Sequence, residues 1–286
     1  MKLLNFLVCG ETRVGAVSPR GVIDLTAAGL SSPMETLIAE WETAGDIVRA
    51  MLADETLPAL SMDELTLAPA TRPSKILCVG LNYRDHAAET HGETPKEPAM
   101  FCKMPSCAAG HLEEIPLPPA VTKLDYEAEL VIVIGRYAYN VRAEEAPAHI
   151  FGYTCGNDVS ARDAQFRSSQ WLIGKSLPKF APSGPVIVTR DELDPSDLAI
   201  TCTVNGEVRQ RARTSDMTFP PAGIVAYVSQ FIELFPGDQI YTGTPAGVII
   251  GMEKGKRVWL TAGDTMTVTI EGIGSLTNRF ASRETR

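Results

Sequence analysis

KLDYEAELVIVIG, residues 123–135, decides how the chain is read. Val131, Ile132, Val133 and Ile134 are β-branched or apolar without alternation, the pattern of a strand buried on both faces. The half before them alternates. Tyr126, Ala128 and Leu130 point one way, and Asp125, Glu127 and Glu129 point the other. A row of carboxylates therefore runs along one face of a single predicted strand that enters the core. Adjacent like charges in a half-buried place resist desolvation, and either solvent or a cation relieves them. Hard divalent cations such as Mg²⁺ prefer carboxylate oxygens, so Glu-x-Glu here admits two readings, a solvated strand face or part of a metal site.

The rest of the composition narrows the function classes. The chain has 286 residues, 44% apolar, with a net charge of −9. No basic run is present, which argues against nucleic acid as a partner, since phosphate binding needs clustered Lys and Arg. No apolar run approaches the roughly 20 residues of a membrane span, and the N-terminus is charged too soon for a signal peptide. The six cysteines form no C-x-x-C pair. They read as reduced thiols in a cytoplasmic protein.

In chain order, residues 1–71 read as a small N-terminal α+β domain: strands at 1–7, 13–17 and 22–25, then one helix over 34–52. Residues 67–73, rich in Pro and Ala, read as a linker to a catalytic domain spanning 72–286. In LNYRDHAAETHG, Asn82 is a predicted N-cap of a short helix running to about Thr90, stopped by Gly92, Pro95 and Pro98. On it His86 and Glu89 are three apart and share a face, the spacing of a carboxylate that orients an imidazole base or of a plain surface pair. The helix is short and polar enough to act as a lid. Strands follow at 99–103, 151–159, 186–188, 199–204 and 207–209, the last two forming a hairpin about Asn205-Gly206. A helix is predicted over 143–150 and another over 224–235, a strand over 239–242 and a last strand over 266–270. Lys103 and Ser106 are candidate polar contacts, Ser160 a candidate cap, and Asp158 a candidate third carboxylate. Lys175 sits in Gly-Lys-Ser, but the spacing of a phosphate-binding loop is missing.

Taken together, the segments LNYRDHAAE, MFCKMPS, DYEAELVIVIG, GYTCGNDVSARDAQ, WLIGKS, SGPVIV, VNGEVRQ, GDQIYTGTPAGV and GIGSL resemble the fumarylacetoacetate hydrolase superfamily, in that family's order, over most of residues 75–278. The resemblance implies a mainly β, α+β fold with a β-roll catalytic domain, a homodimer and a divalent metal, Mg²⁺ with Mn²⁺ or Ca²⁺ as substitutes. It implies Glu127, Glu129 and Asp158 as metal ligands, and His86, Glu89 and Lys175 as catalytic groups. Lys103, Arg162, Gln165 and Thr244 fall where relatives contact substrate. Arg84 and Arg162 suggest a second anionic group on the substrate, and residues 249–258 fall at the site rim. The expected substrate is a small 2-oxo or diketo acid. The expected reaction is C–C hydrolysis of acylpyruvates or related 2,4-diketo acids. The alternatives are decarboxylation, lyase chemistry or isomerisation of an oxaloacetate-like acid through the same enolate, and a non-catalytic metal- or ligand-binding relative.

Overall fold

The computed structural model describes residues 1–30, 32–89 and 95–282. The 123–135 stretch lies at its centre, but as two strands rather than one. Leu124–Asp125 pairs with Ser160–Ala161, and Ala128–Ile134 pairs with Ile150–Asn157, both antiparallel. The break at Tyr126 and Glu127 has a visible cause. The Asn157 side chain accepts the Glu127 N–H (2.9 Å), and the Glu127 carbonyl accepts the Asp158 N–H (2.9 Å). Both chains bend together there, so Glu127, Glu129 and Asp158 converge.

Ala128–Ile134 is buried at every residue. Its other neighbour is Gln239–Tyr241, which pairs in parallel with Ile76–Gly80, and that strand in turn with Ala99–Lys103. On the far side, Ile150–Asn157 pairs with Ala181–Thr189, and the latter with Lys2–Val8. Among the described residues this makes one twelve-stranded sheet that takes in the N-terminal strands without a break. Residues 67–73 are fastened rather than free. Thr66–Leu67 pairs with Lys2–Val8, the Asn5 amide donates to the Pro69 and Ala70 carbonyls (3.1 Å each), and the Thr71 hydroxyl donates to the Gly237 carbonyl (2.7 Å).

A five-stranded sheet packs on the large one. In it Ala199–Val204 and Thr265–Ile270 bury alternate residues, the mark of strands with one covered face. The strand after Ile270, Gly274–Ser282, was not expected from sequence. A polar residue, Asn278, stands between the inward Leu276 and Phe280 and obscures the alternation, and pairing with Thr265–Ile270 makes the strand.

The helix expected over 34–52 is two, Met34–Ala39 and Trp41–Ala53, with a corner at Glu40. The corner sets the Trp41 ring edge-on to Phe151 (centroids 4.9 Å), so Val133, Phe151 and Ile187 of the central strands share a core with the N-terminal helices. The helix expected over 224–235 is Pro221–Ser229. Pro221 starts it, and it stops because residue 234 pairs with Ala138 instead, leaving Phe231 and Phe235 exposed. The helix expected over 143–150 is shortened to Ala146–His149.

Close sheet packing leaves some positions no room for a side chain. A Cβ at Gly152 would lie 2.1 Å from the Val188 carbonyl oxygen, a backbone atom of the paired strand. Gly152→Ala is expected to lose about 1–3 kcal/mol of stability, measured by urea denaturation; an unchanged midpoint would show that these strands can separate locally.

Candidate active site

Four buried carboxylates meet three buried cations at the bend. Glu127 accepts from Arg162 (2.6 Å) and from Lys175 (2.7 Å). Asp158 accepts from Lys175 (2.6 Å) and, on its other oxygen, from Lys103. Asp125 accepts from Arg162 Nε (2.9 Å). Glu129 has no ion pair among the described residues, and the Gly243 backbone N–H (2.7 Å) donates to it. One carboxyl is thus left without a cation, and it is Glu129.

The electrostatics follow from that pairing. Burial pushes the Glu127 carboxyl up, but Lys175 and Arg162 outweigh it and lower its pKa to about 2. Burial, with Asp158 and Glu127 beside it, holds Glu129 well above the usual carboxylate range. Burial pulls the Lys175 ammonium down, yet Asp158 and Glu127 hold its pKa above the ordinary lysine value. Ligand oxygens of Glu127, Glu129 and Asp158 all lie within 4.8 Å of one another. An all-oxygen donor set, with one buried carboxyl that no cation neutralises, fits a hard divalent cation. The three residues expected as ligands are those that the fold gathers.

Local sequence explains the placement of the cations. Arg162–Gln165 and Leu172–Lys175 are single helical turns in contact. A Cβ at Gly174 would lie 2.4 Å from the Gln165 backbone, so this glycine lets the turns touch and sets Lys175 beside the Arg162 network. That is the role of the Gly-Lys-Ser segment here. Ser160 does not cap the first turn; its hydroxyl donates to the Asp158 carbonyl (2.8 Å). Asn82 is likewise no N-cap. Its side chain bridges Phe219 and the Thr242 carbonyl. The helix it precedes is Arg84–Glu89; its expected end at Thr90 and Gly92 lies outside the described residues.

His86 and Glu89 line the same cavity of about 750 Å³ as Glu127 and Glu129. His86 Nδ1 is 3.5 Å from Glu89 Oε2, a separation that can tighten around a ligand. Both Glu89 oxygens accept the Gly247 N–H (3.1 Å each). The Glu89 carboxyl also packs on Gly251, where a Cβ would come within 2.2 Å of it. Arg162, Gln165, Lys175 and Thr244 line the cavity too, with Phe101, Phe166 and Trp171 as an apolar wall.

Three expectations are corrected. Lys103 is not on the cavity wall; it is buried behind Asp158, donating also to the Val159 carbonyl (3.1 Å). Ser106 is exposed and off the wall. Arg84 is exposed and lines a different, small cavity with Asp85, Arg211 and Asp216. Sequence reasoning missed two features. Asp125 ties Arg162 to the rim by accepting the Ile249 and Ile250 N–H groups (2.8 and 3.0 Å). Gln210 holds the Thr244 hydroxyl (2.8 Å). The first was visible only as one more acid in the carboxylate row, and the second had no local signal.

The sequence profile of the family described as fumarylacetoacetate (FAA) hydrolase C-terminal matches residues 75–281. The chain belongs to the fumarylacetoacetate hydrolase family. Within it, the chain is 43% identical over 265 residues to a human mitochondrial oxaloacetate tautomerase, covering 91% of this chain and 83% of that protein. Its fold is similar to that of a fumarylacetoacetate hydrolase from Exiguobacterium antarcticum (TM-score 0.87, 37% identity, covering 99% of this chain and 100% of that one). It is also similar to maleylpyruvate hydrolase from Sphingobium sp. SYK-6 with manganese(II) and pyruvate (TM-score 0.82, 27% identity, covering 99% and 100%). The mainly β fold of the family is the one observed. Among the described residues no helix is long and apolar enough to cross a membrane.

The raised Glu129 carboxyl makes metal binding measurable without turnover. Without metal, its stabilising contribution is fully present below its unfolded-state pKa and is lost as pH rises through the folded value. Mg²⁺ or Mn²⁺ binding is therefore expected to release more protons as pH is lowered through that folded value, read by calorimetry in two buffers of different ionisation enthalpy. Glu129→Gln should abolish the release; metal binding with no proton released by the unaltered protein would mean Glu129 is already ionised.

Proposed function

We propose that the chain is a divalent-metal-dependent enzyme that interconverts the keto and enol forms of oxaloacetate or a closely similar 2-oxo acid. The observation that carries the choice is the 43% identity over 265 residues to a protein of that activity. This favours the isomerase alternative over C–C hydrolysis, which was the first expectation from sequence. Supporting it is the gathering on one cavity of Glu127 and Glu129, with Asp158 within ligating reach of both, an ammonium and an imidazole–carboxylate pair.

The roles follow from the groups. A divalent ion on Glu127, Glu129 and Asp158 would supply Lewis acidity to the paired oxygens of a 2-oxo acid, making the adjacent C–H more acidic. His86 takes that proton from carbon and returns it to the substrate oxygen, so one C–H bond breaks, one O–H bond forms, and the atoms balance. Glu89, anchored by Gly247, orients the imidazole and stabilises its protonated form. Lys175 presents positive charge to oxygen that becomes electron-rich. Gln165 and Thr244 fix the substrate, and the Phe101–Trp171 wall limits water. A tautomerase needs no nucleophilic water; a hydrolase would use the same pair to deprotonate one. The 27% identical maleylpyruvate hydrolase, bound to manganese and pyruvate, supports that second reading and also Mn²⁺ beside Mg²⁺ as the ion.

The free cysteines fit a reducing compartment, the cytoplasm or a mitochondrial matrix. The homodimer would give a use to exposed apolar side chains such as Phe231.

The deciding assay follows decay of the oxaloacetate enol absorbance with Mg²⁺ or Mn²⁺, beside release of pyruvate from a simple acylpyruvate. Accelerated enol decay, reduced about 10²–10⁴-fold in His86→Ala and lost in Glu127→Ala, is expected. Faster acylpyruvate cleavage, with no effect on the enol, would replace this reading by the hydrolase.

A further inference from the structure

We propose that Arg257 binds a second, distal carboxylate of the substrate, which makes this cavity selective for dicarboxylic 2-oxo acids. The inference rests on the 2-oxo acid reading above and extends it to the far end of the ligand.

The cavity holds two arginines, and they differ in availability. Arg162 is saturated: Asp125 and Glu127 take its charge and Gln165 takes a further N–H (3.0 Å). It has little left for a substrate anion. Arg257 is half-buried on the cavity wall, and its Nε donates to the Met252 carbonyl (2.8 Å). That bond fixes the plane of the guanidinium while leaving its terminal nitrogens. Among the described residues no carboxylate forms an ion pair with Arg257, and the acid on this rim, Glu253, pairs instead with Lys256 (2.9 Å). Lys254 also lines the cavity. The rim is thus locally positive in a chain of net charge −9. A half-buried, oriented and unpaired guanidinium suits bidentate capture of a carboxylate.

Size and position agree. A cavity of about 750 Å³ is far larger than a three-carbon acid needs, so a ligand held at the carboxylate cluster has room to extend toward the rim. Arg257 follows the turn Ile249–Gly251, whose first two N–H groups are held by Asp125. The rim is therefore tied to the carboxylate wall. This also relocates the second-anion contact that the sequence assigned to Arg84 and Arg162, of which Arg84 faces another cavity and Arg162 is held by Asp125 and Glu127.

The test compares two stable ligands that differ only at the far end, 2-oxoglutarate and 2-oxovalerate. Their dissociation constants are measured by calorimetry with Mg²⁺ present, for the unaltered protein, R257Q and R257K. Loss of one charge-assisted contact should weaken 2-oxoglutarate about 10–100-fold in R257Q. Binding of 2-oxovalerate should change less than about twofold, which also shows that the variant is folded. R257K should recover part of the loss. Equal weakening of both acids, or no change in either, would overturn the role of Arg257 and leave the 2-oxo acid reading standing. Binding of neither acid by the unaltered protein would overturn that reading, and this inference with it.

Discussion

Four carboxyl groups and three cations share a buried space at the bend of the central strands, and the rest of the site is arranged around the one carboxyl left without a cation. Burying any one of these groups alone would cost several kcal/mol. Arg162, Lys103 and Lys175 each neutralise a carboxylate, so Glu129 is left without a partner cation. The cluster is satisfied enough to fold and unbalanced enough to attract a cation.

Glycines and bends, more than the charged residues themselves, bring this about. The paired bend at Glu127 and Asp158 turns two strands into a three-carboxylate corner. Gly174 lets two helical turns touch, so that Lys175 reaches both Glu127 and Asp158. Gly243 supplies a backbone donor to Glu129, and Gly247 one to Glu89. Backbone atoms thus reach the carboxylates where side chains would not fit.

Asp125 couples the two ends of the cavity. It accepts from Arg162 on one side and from Ile249 and Ile250 on the other. The rim turn presses Gly251 against the carboxyl of Glu89.

Which residues the fold gathers at the bend and on the cavity was largely legible in the sequence. Ordered short motifs named the three carboxylates, the His86–Glu89 pair and Lys175, and unbroken β-branched residues marked a doubly buried strand. Those signals are local, and local patterns survive in one dimension. Tertiary structure alone decided the rest. Residues 123–135 break into two strands because their partners change from 160–161 to 150–157. Lys103 pairs with Asp158 and lies off the cavity wall, a relation between residues 55 positions apart. Arg162 is saturated and Arg257 is not, since the carboxylates that meet an arginine depend on which segments the sheet brings together, and sequence spacing does not record that.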